Sequence, residues 1–556
     1  MAHVEGAGDR GAGALRIRRG VGARRTAGGS GGEGGRVIGG YRIGIDVGGT
    51  NTDAVVLDDN LAVVASVKRP TTADTGDGVA DAIDAVLAAS GIDPSLVAHA
   101  MLGTTHCTNA IVERRGLGRV GILRLGAPAT TAVPPLEGWP ADLRAAIGEH
   151  AYLLQGGFEV DGRLLAEVDE DAVRDACARM RDEVDAVAVI GVFAPVDESQ
   201  EERVAAIVAE ELGVPVSRSA RIGSLGLLER ENATVLNAAL MQTLTQMASG
   251  FVAALRERGI PAAPYFGQND GTLMQLEYAL EFPVLTIGCG PTNSIRGAAH
   301  LSGATDALVV DIGGTTTDIG VLVDGFPRQS AHAVEIGGIR TNFRMPDVLS
   351  VGLGGGTIVR SGDAGSPAGV TVGPDSVGYR LPQEGLAFGG STLTATDVAL
   401  AIGGAQIEGL DAPAVDGTVG AAAWAAMRGI LEDSIDRMKP NAAPVPVILV
   451  GGGGIIAPAE LDGVASLIRP DHFGAANAVG AALGEVAGQI EKIYRLDGVD
   501  RRECRTDAAA EAVDRARLAG ADPETIEVVA VEELPVAYSD GTAVLIRARA
   551  VGRLAA

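Results

Sequence analysis

The chain has 556 residues, of which 46% are hydrophobic, and carries a formal net charge of −26. That length exceeds one ordinary core and predicts two or three domains, and the apolar content argues against wholesale disorder. The acidic balance argues against nucleic acid or an anionic membrane as partner, and no apolar run approaches the roughly 20 residues that span a bilayer.

Residues 1–40 are rich in glycine and hold Arg10, Arg16, Arg18, Arg19, Arg24, Arg25 and Arg36 against Glu5, Asp9 and Glu33. They read as a flexible tail, either a plain extension or a nucleic-acid arm. From Tyr41 the texture is α/β. "YRIGIDV" predicts a strand, "DAVVLDD" a returning strand after a Gly-Gly turn, and "LAVVASVKRP" a third strand stopped by Pro70. "DGVADAIDAVLAAS" has helical spacing, "CTNAIVERRG" predicts a short helix, and "RVGILRL" and "DAVAVIGVF" predict strands. "ESQEERVAAIVAEEL" is an amphipathic helix, and the stretch from "GLLERENATVL" to "ALRERG" is one long helix. The second half restarts the pattern with a hairpin from "DALVVDIGG" into "TTDIGVLVDG". "VGLGGGTIV" follows, then the helix "AAAWAAMRGILEDSIDRM" and the strand "VPVILV", which runs into Gly451, Gly452, Gly453 and Gly454. "GAANAVGAALGEVAGQIEKIY" reads as a small-residue helix able to pack closely on that loop. The end of the chain predicts a helix and strands. The division expected is a tail over 1–40, lobes over 41–225 and 226–490, and a small α+β segment over 491–556.

One octapeptide occurs twice. Residues 46–53 read "DVGGTNTD" and residues 311–318 read "DIGGTTTD". A strand ending in Asp, then Gly-Gly-Thr, then a returning strand exposes several backbone N–H groups in one turn. Such a nest holds phosphate oxygens. The strand-end carboxylate fits if it serves Mg²⁺, which favours one or two carboxylates together with phosphates and water. Two such hairpins, one per lobe, suit a clamp for a nucleoside triphosphate and hence phosphoryl transfer. Asp46 and Asp311 are the candidate catalytic and Mg²⁺ residues. Gly48, Gly49, Thr50, Gly313, Gly314 and Thr315 are candidate phosphate contacts, while Thr52, Asp53, Thr317 and Asp318 are expected to fix the hairpins. The sequence contains no GxxxxGK[ST] and no HExxH, and its single GxSxG lies in the tail. Cys107, Cys177, Cys289 and Cys504 form no CxxC pair, so reduced thiols in a cytoplasm are expected.

The two hairpins and the late glycine loop resemble the actin, Hsp70 and sugar-kinase ATPase superfamily, a duplicated RNase H-like α/β fold. Within it, "GTTHCTNAIVERRG", "LLERENATVLNAAL", "VGLGGGTI", "VGPDSVGY" and "TATDVAL" resemble, in order, blocks of the hydantoinase/oxoprolinase family. "CGPT" at residues 289–292 stands where that family has SGPA, and the chain ends sooner. The resemblance implies ATP and Mg²⁺ as cofactors and the opening of a cyclic amide such as a hydantoin, oxoproline or lactam. It also implies a possible separate B-type or other hydrolase subunit as partner, and an oligomer. A kinase for a small hydroxyl substrate, or an ATP-driven switch acting on a protein, are the alternatives.

The remaining candidates follow from these blocks. Gly451, Gly452, Gly453 and Gly454 would lie against adenosine, with close strand–helix packing as the alternative. Thr104, Thr105 and Asn109 open a helix and suit carbonyl or anion recognition. His106 is a candidate general acid/base, and Cys107 lacks an evident partner base. Arg230 and Asn237 lie seven apart on one helical face, so they either reach one cleft together or make packing hydrogen bonds. Gly354 and Gly355 are candidate substrate contacts.

Overall fold

The computed structural model describes residues 40–71, 75–223, 225–330, 334–342, 345–362, 369–496, 498–536 and 543–555, so the expected tail lies outside the described residues except at Gly40. The architecture is built twice. In the first lobe Tyr41–Val47, Asn51–Leu57 and Val63–Pro70 form an antiparallel meander, and Val97–Thr104 and then Ala263–Gly267 add in parallel on the other side. In the second, Ala307–Ile312, Thr317–Val323 and Phe326–Pro327 form the meander, and Val445–Val450 and Val464–Ile468 add in parallel. Counted within each lobe, the spatial order is third, second, first, fourth, fifth strand in both cases. Each copy of the octapeptide is the turn between first and second strands, as the alternation of its flanks predicts.

The central strands are buried on both faces and correspondingly rich in Val, Ile and Leu. Helices cover them. Thr75–Ser90 packs on the first meander, and Gly417–Met438 packs on the second sheet through Ala423, Met427, Leu431 and Ile435. Between the fourth and fifth strands of the first lobe the chain inserts a four-stranded parallel sheet. Its order is Ala151–Gln155, Val120–Ala127, Ala186–Gly191, Val216–Arg218, and it has its own apolar core.

Three expectations change. The stretch expected as one helix from "GAANAV" to "EKIY" is a short helix, Ala476–Ala482, followed by the strand Val486–Arg495. Pairing along the whole of Ala543–Gly552 decides this, since Gly484 and Gly488 give a helix little support. Second, the C-terminal segment is α+β as expected, but it does not stand apart. Its helix Arg501–Leu518 and strands Glu527–Pro535 and Ala543–Gly552 extend the first lobe's sheet through Val486–Arg495 and Leu273–Gln275, giving nine strands. The long helix and residues 263–275 also belong to the first lobe, so the second lobe's sheet begins at Ala307 rather than near residue 226. Third, among the described residues one helix, Leu227–Glu257, is long and apolar enough to cross a membrane by length and composition. It buries Arg230, Glu231, Asn232 and Asn237 within the protein, the signature of a core helix.

Candidate active site

Strand register places the octapeptide aspartates. Asp46 pairs across the hairpin with Asp53, and Asp53 pairs with Lys68 on the third strand. In the second lobe Asp311 pairs with Asp318, and Asp318 with Ser350 on Val348–Val351. Residues directly opposite in an antiparallel pair share a face, so each lobe presents two carboxylates side by side. The repulsion is met differently in the two lobes. Lys68 Nζ lies 2.5 Å from Oδ1 and 2.6 Å from Oδ2 of Asp53. Ser350 Oγ donates to Asp318.

The glycine turns face one another. Gly48 N–H donates to Asn51 O at 3.0 Å and Gly313 N–H to Thr316 O at 2.9 Å, which closes each turn. The N–H groups of Gly49, Thr50, Gly314 and Thr315 have no bonded protein acceptor among the described residues. A Cβ built on Gly314 would sit 3.1 Å from Thr50 Cγ2, so the turns meet across the cleft. Thr317 Oγ1 donates to Leu353 O at 2.6 Å, and Thr52 Oγ1 lies 3.3 Å from Thr71 Oγ1, the internal fixing roles expected of both threonines. The 451–454 loop passes directly over Asp311, because a Cβ on Gly451 would lie 2.1 Å from Asp311 Oδ1. Gly451 also takes φ +87°, which glycine alone adopts freely.

Gly354 and Gly355 are buried beneath the second turn. Gly355 N–H donates to Gly313 O at 3.0 Å and Gly356 N–H to Gly314 O at 2.7 Å. Gly355 and Gly356 thus buttress the second glycine turn, and Gly354 packs against it, since a Cβ there would lie 2.6 Å from Thr315 N.

Two helices join the aspartates. From Cys289–Ser302, Asn293 Nδ2 lies 3.5 Å from Asp46 Oδ1, and Ser294 Oγ donates to Asp311 Oδ2. From Ala476–Ala482, Asn477 Nδ2 donates to Asp46 Oδ2 at 3.4 Å, and its Oδ1 meets Ser294 Oγ. Asn293, Ser294 and Asn477 therefore link the two carboxylates, and nothing in their local sequence announces it. Burial pushes Asp46 up to about 6, the Asp53 charge adds to this, and the two asparagine donors oppose it. Burial also raises Asp311, against Ser294 and the Lys68 charge, and raises Asp318 to about 6 against its Ser350 bond.

Among the described residues no group of three or more His, Cys, Asp or Glu is arranged to hold a metal by itself. The donor set does fit Mg²⁺ bound with a polyphosphate. Two neighbouring carboxylates, Asp46 and Asp311, are costly without a cation, and Mg²⁺ takes its other ligands from phosphate and water.

Thr104 pairs in register with Val47, so residues 104–109 sit one strand over from Asp46 at the same sheet edge. Thr104 Oγ1 accepts from His106 N–H at 3.0 Å, and Asn109 Nδ2 donates to Thr105 Oγ1 at 3.4 Å. His106 starts the helix His106–Glu113, is half-buried, and is held toward its neutral form by that burial. Cys107 is buried and its thiol is pushed up to about 11, so it is no nucleophile.

Arg230 and Asn237 do not reach this cleft. Arg230 is spent on Gly191 O at 2.6 Å, Leu225 O at 2.9 Å and Ser219 Oγ at 3.0 Å, locking the long helix to the inserted sheet. Asn237 donates to Glu281 O at 2.9 Å and Ser217 Oγ at 3.1 Å, and accepts from Val284 N–H at 3.1 Å. Their shared face is correct, but it meets packing partners.

Two lobes of identical strand order, with opposed glycine turns and strand-end aspartates, define the duplicated ATPase fold of the actin, Hsp70 and sugar-kinase type. The chain belongs to the hydantoinase/oxoprolinase family: residues 42–212 match its N-terminal region and residues 230–506 match its hydantoinase/oxoprolinase region. It is 30% identical over 395 residues to the caprolactamase subunit alpha of Pseudomonas jessenii, covering 65% of this chain and 54% of that protein. To the acetophenone carboxylase gamma subunit of Aromatoleum aromaticum it is 27% identical over 398 residues, covering 65% and 53%. The chain thus spans about half the length of the curated relatives it matches. In fold it is similar to the crystal structure of the ATP-dependent caprolactamase from Pseudomonas jessenii, with a TM-score of 0.70 at 20% identity over 93% of this chain and 88% of that one. Nucleotide-free acetone carboxylase gives a TM-score of 0.66 at 18% identity, with the same coverage.

Proposed function

We propose that the chain uses Mg-ATP to activate the carbonyl of a cyclic amide, such as a hydantoin, oxoproline or lactam, for ring opening. The observation that carries this reading is the facing pair of glycine turns, with Asp46 and Asp311 tied together beneath them through Asn293, Ser294 and Asn477. The N–H groups of residues 49–50 and 314–315 would receive the phosphates, and the 451–454 loop would lie along the adenosine. Asp46 and Asp311 would hold Mg²⁺, which neutralises phosphate charge, and Asp311 would also orient the attacking oxygen. Transfer forms a bond from the γ-phosphorus to the carbonyl oxygen and breaks its bond to the bridging oxygen, which leaves with ADP. A lactam carbonyl is a poor electrophile, and phosphorylation makes its carbon open to water. Thr104, Thr105 and Asn109 would line the edge where such a carbonyl docks, and His106 would move a proton there. Water addition, departure of the ring nitrogen as an amine, and hydrolysis of the resulting acyl phosphate to the carboxylate and free phosphate would then occur here or in a separate B-type subunit; the relatives named as subunits support a partner. The buried, free cysteines suit a reducing cytoplasm.

The test is phosphate release from Mg-ATP across a panel of hydantoins, oxoproline and lactams, with and without co-purifying proteins. Release that depends on a cyclic amide supports the proposal. A stable phosphate ester of a hydroxyl substrate would instead mark a kinase, and ATP turnover stimulated only by a protein would mark a switch. A chain that binds no ATP would sink all three.

A further inference from the structure

Lys68 stands where the duplication breaks. Opposite Asp318 the second lobe places Ser350, and at the matching place opposite Asp53 the first lobe places Lys68. The chain has only two other lysines, Lys439 and Lys492, and they pair with Asp436 and Glu511 away from the cleft. Around the glycine turns stand Asp46, Asp53, Asp311 and Asp318, so Lys68 is set among four carboxylates. Its stem reaches toward the other lobe: a Cβ on Gly452 would lie 3.4 Å from Lys68 Cε and 3.8 Å from Nζ. The same strand touches the second lobe again where Ser66 Oγ lies 3.4 Å from His472 Nδ1. The Lys68 side chain keeps 38% exposure against 10% for its partner Asp53. An ammonium has three donors, and the two oxygens of Asp53 engage at most two of them.

We propose that Lys68 is a polyphosphate ligand, reaching from the first lobe to the nucleotide beside the 451–454 loop while Asp53 holds it in place. This rests on the Mg-ATP reading above. A flexible ammonium serves as a point charge toward phosphate, and here it sets a positive charge among the four carboxylates. Asp53, opposite Asp46, is then the residue that aims the lysine.

The test is titration calorimetry with a non-hydrolysable Mg-triphosphate analogue and with adenosine. Three proteins are compared: the full chain, Lys68→Met, and Lys68→Met with Asp53→Asn. Lys68→Met is expected to weaken the triphosphate analogue by about 10- to 100-fold and to leave adenosine unchanged. The double variant removes the buried charge that Lys68→Met leaves unpaired, so it keeps the test open if the single variant melts early. A deficit that persists in the double variant supports a phosphate contact. Full affinity in either variant, or equal loss of adenosine and triphosphate, would overturn the proposal. If the unaltered chain binds neither ligand, the Mg-ATP reading itself has failed, a result distinct from normal binding by Lys68→Met.

Discussion

Asp46 is a carboxylate kept where ionisation is costly, and this has a measurable sign. Its folded-state pKa, pushed up to about 6, lies above that of an unfolded aspartate, so the folded chain holds the proton more tightly. The stability this contributes is complete below about pH 4 and is lost as pH rises through about 6. Asp46→Asn should therefore stabilise the nucleotide-free protein at pH 7.5 by on the order of 1–3 kcal/mol and change little at pH 4. The same variant should lose phosphate release by about 100-fold or more, because the carboxylate is proposed to serve the nucleotide. Denaturation curves at the two pH values, set beside a phosphate-release assay, check both halves. A variant that is less stable at pH 7.5 would contradict the account. Cys289 gives a simpler case, since burial and the nearby Asp46 charge push its thiol up to about 12. An alkylating reagent at pH 7 should leave Cys289 and Cys107 unmodified in the folded protein, as peptide mass mapping would show.

At the scale of elements, the decisive contact is the crossing of Cys289–Ser302 with Ala476–Ala482. A Cβ on Gly297 would lie 1.9 Å from Ala476 O, and one on Gly480 would lie 1.8 Å from Asn293 O. The helices meet backbone to backbone, and at that crossing Asn293, Ser294 and Asn477 reach the aspartates. Gly480→Ala should force the helices apart, costing about 1–3 kcal/mol and reducing phosphate release, because Asn477 retreats from Asp46. Gly429, within Gly417–Met438, has open space where a Cβ would go. Gly429→Ala should be neutral or stabilise by up to about 1 kcal/mol, with activity unchanged. Melting temperatures and turnover of the two variants make the comparison. This crossing also marks where the sequence stopped being legible. The octapeptides could be read because a turn's chemistry is local. The role of "GAANAV" could not, because its partner helix lies far away in the chain, and small residues allow close packing without naming the surface. Arg230 and Asn237 show the same limit: seven-residue spacing fixes a shared face but not what that face meets.

At the scale of the molecule, the chain builds the first lobe, crosses to the second, and returns to finish the first with Val486–Arg495, Glu527–Pro535 and Ala543–Gly552. The end of the chain looked separable because a helix and two strands suffice for a small α+β unit. Only long-range pairing shows that they complete a nine-stranded sheet. The cleft between the lobes inherits one pair of carboxylates from each copy of the octapeptide, within a chain of net charge −26. A triphosphate entering that cleft meets like charge from both sides, eased by Lys68 and by the N–H groups of the turns. Divalent cation should therefore be a condition of binding and not only of turnover. Chelation with EDTA is expected to weaken ATP by about 100-fold, the scale set by a few kcal/mol of partly screened repulsion. In Asp46→Asn with Asp311→Asn the cation loses its ligands and the repulsion falls at the same time, so the gap between titrations with and without EDTA should narrow. Calorimetric titration of ATP into both proteins, with Mg²⁺ and with EDTA, measures that gap. An unaltered chain that binds ATP equally well in EDTA would show that the turn N–H groups and Lys68 carry the phosphates alone, leaving the paired aspartates to orient the oxygen that attacks.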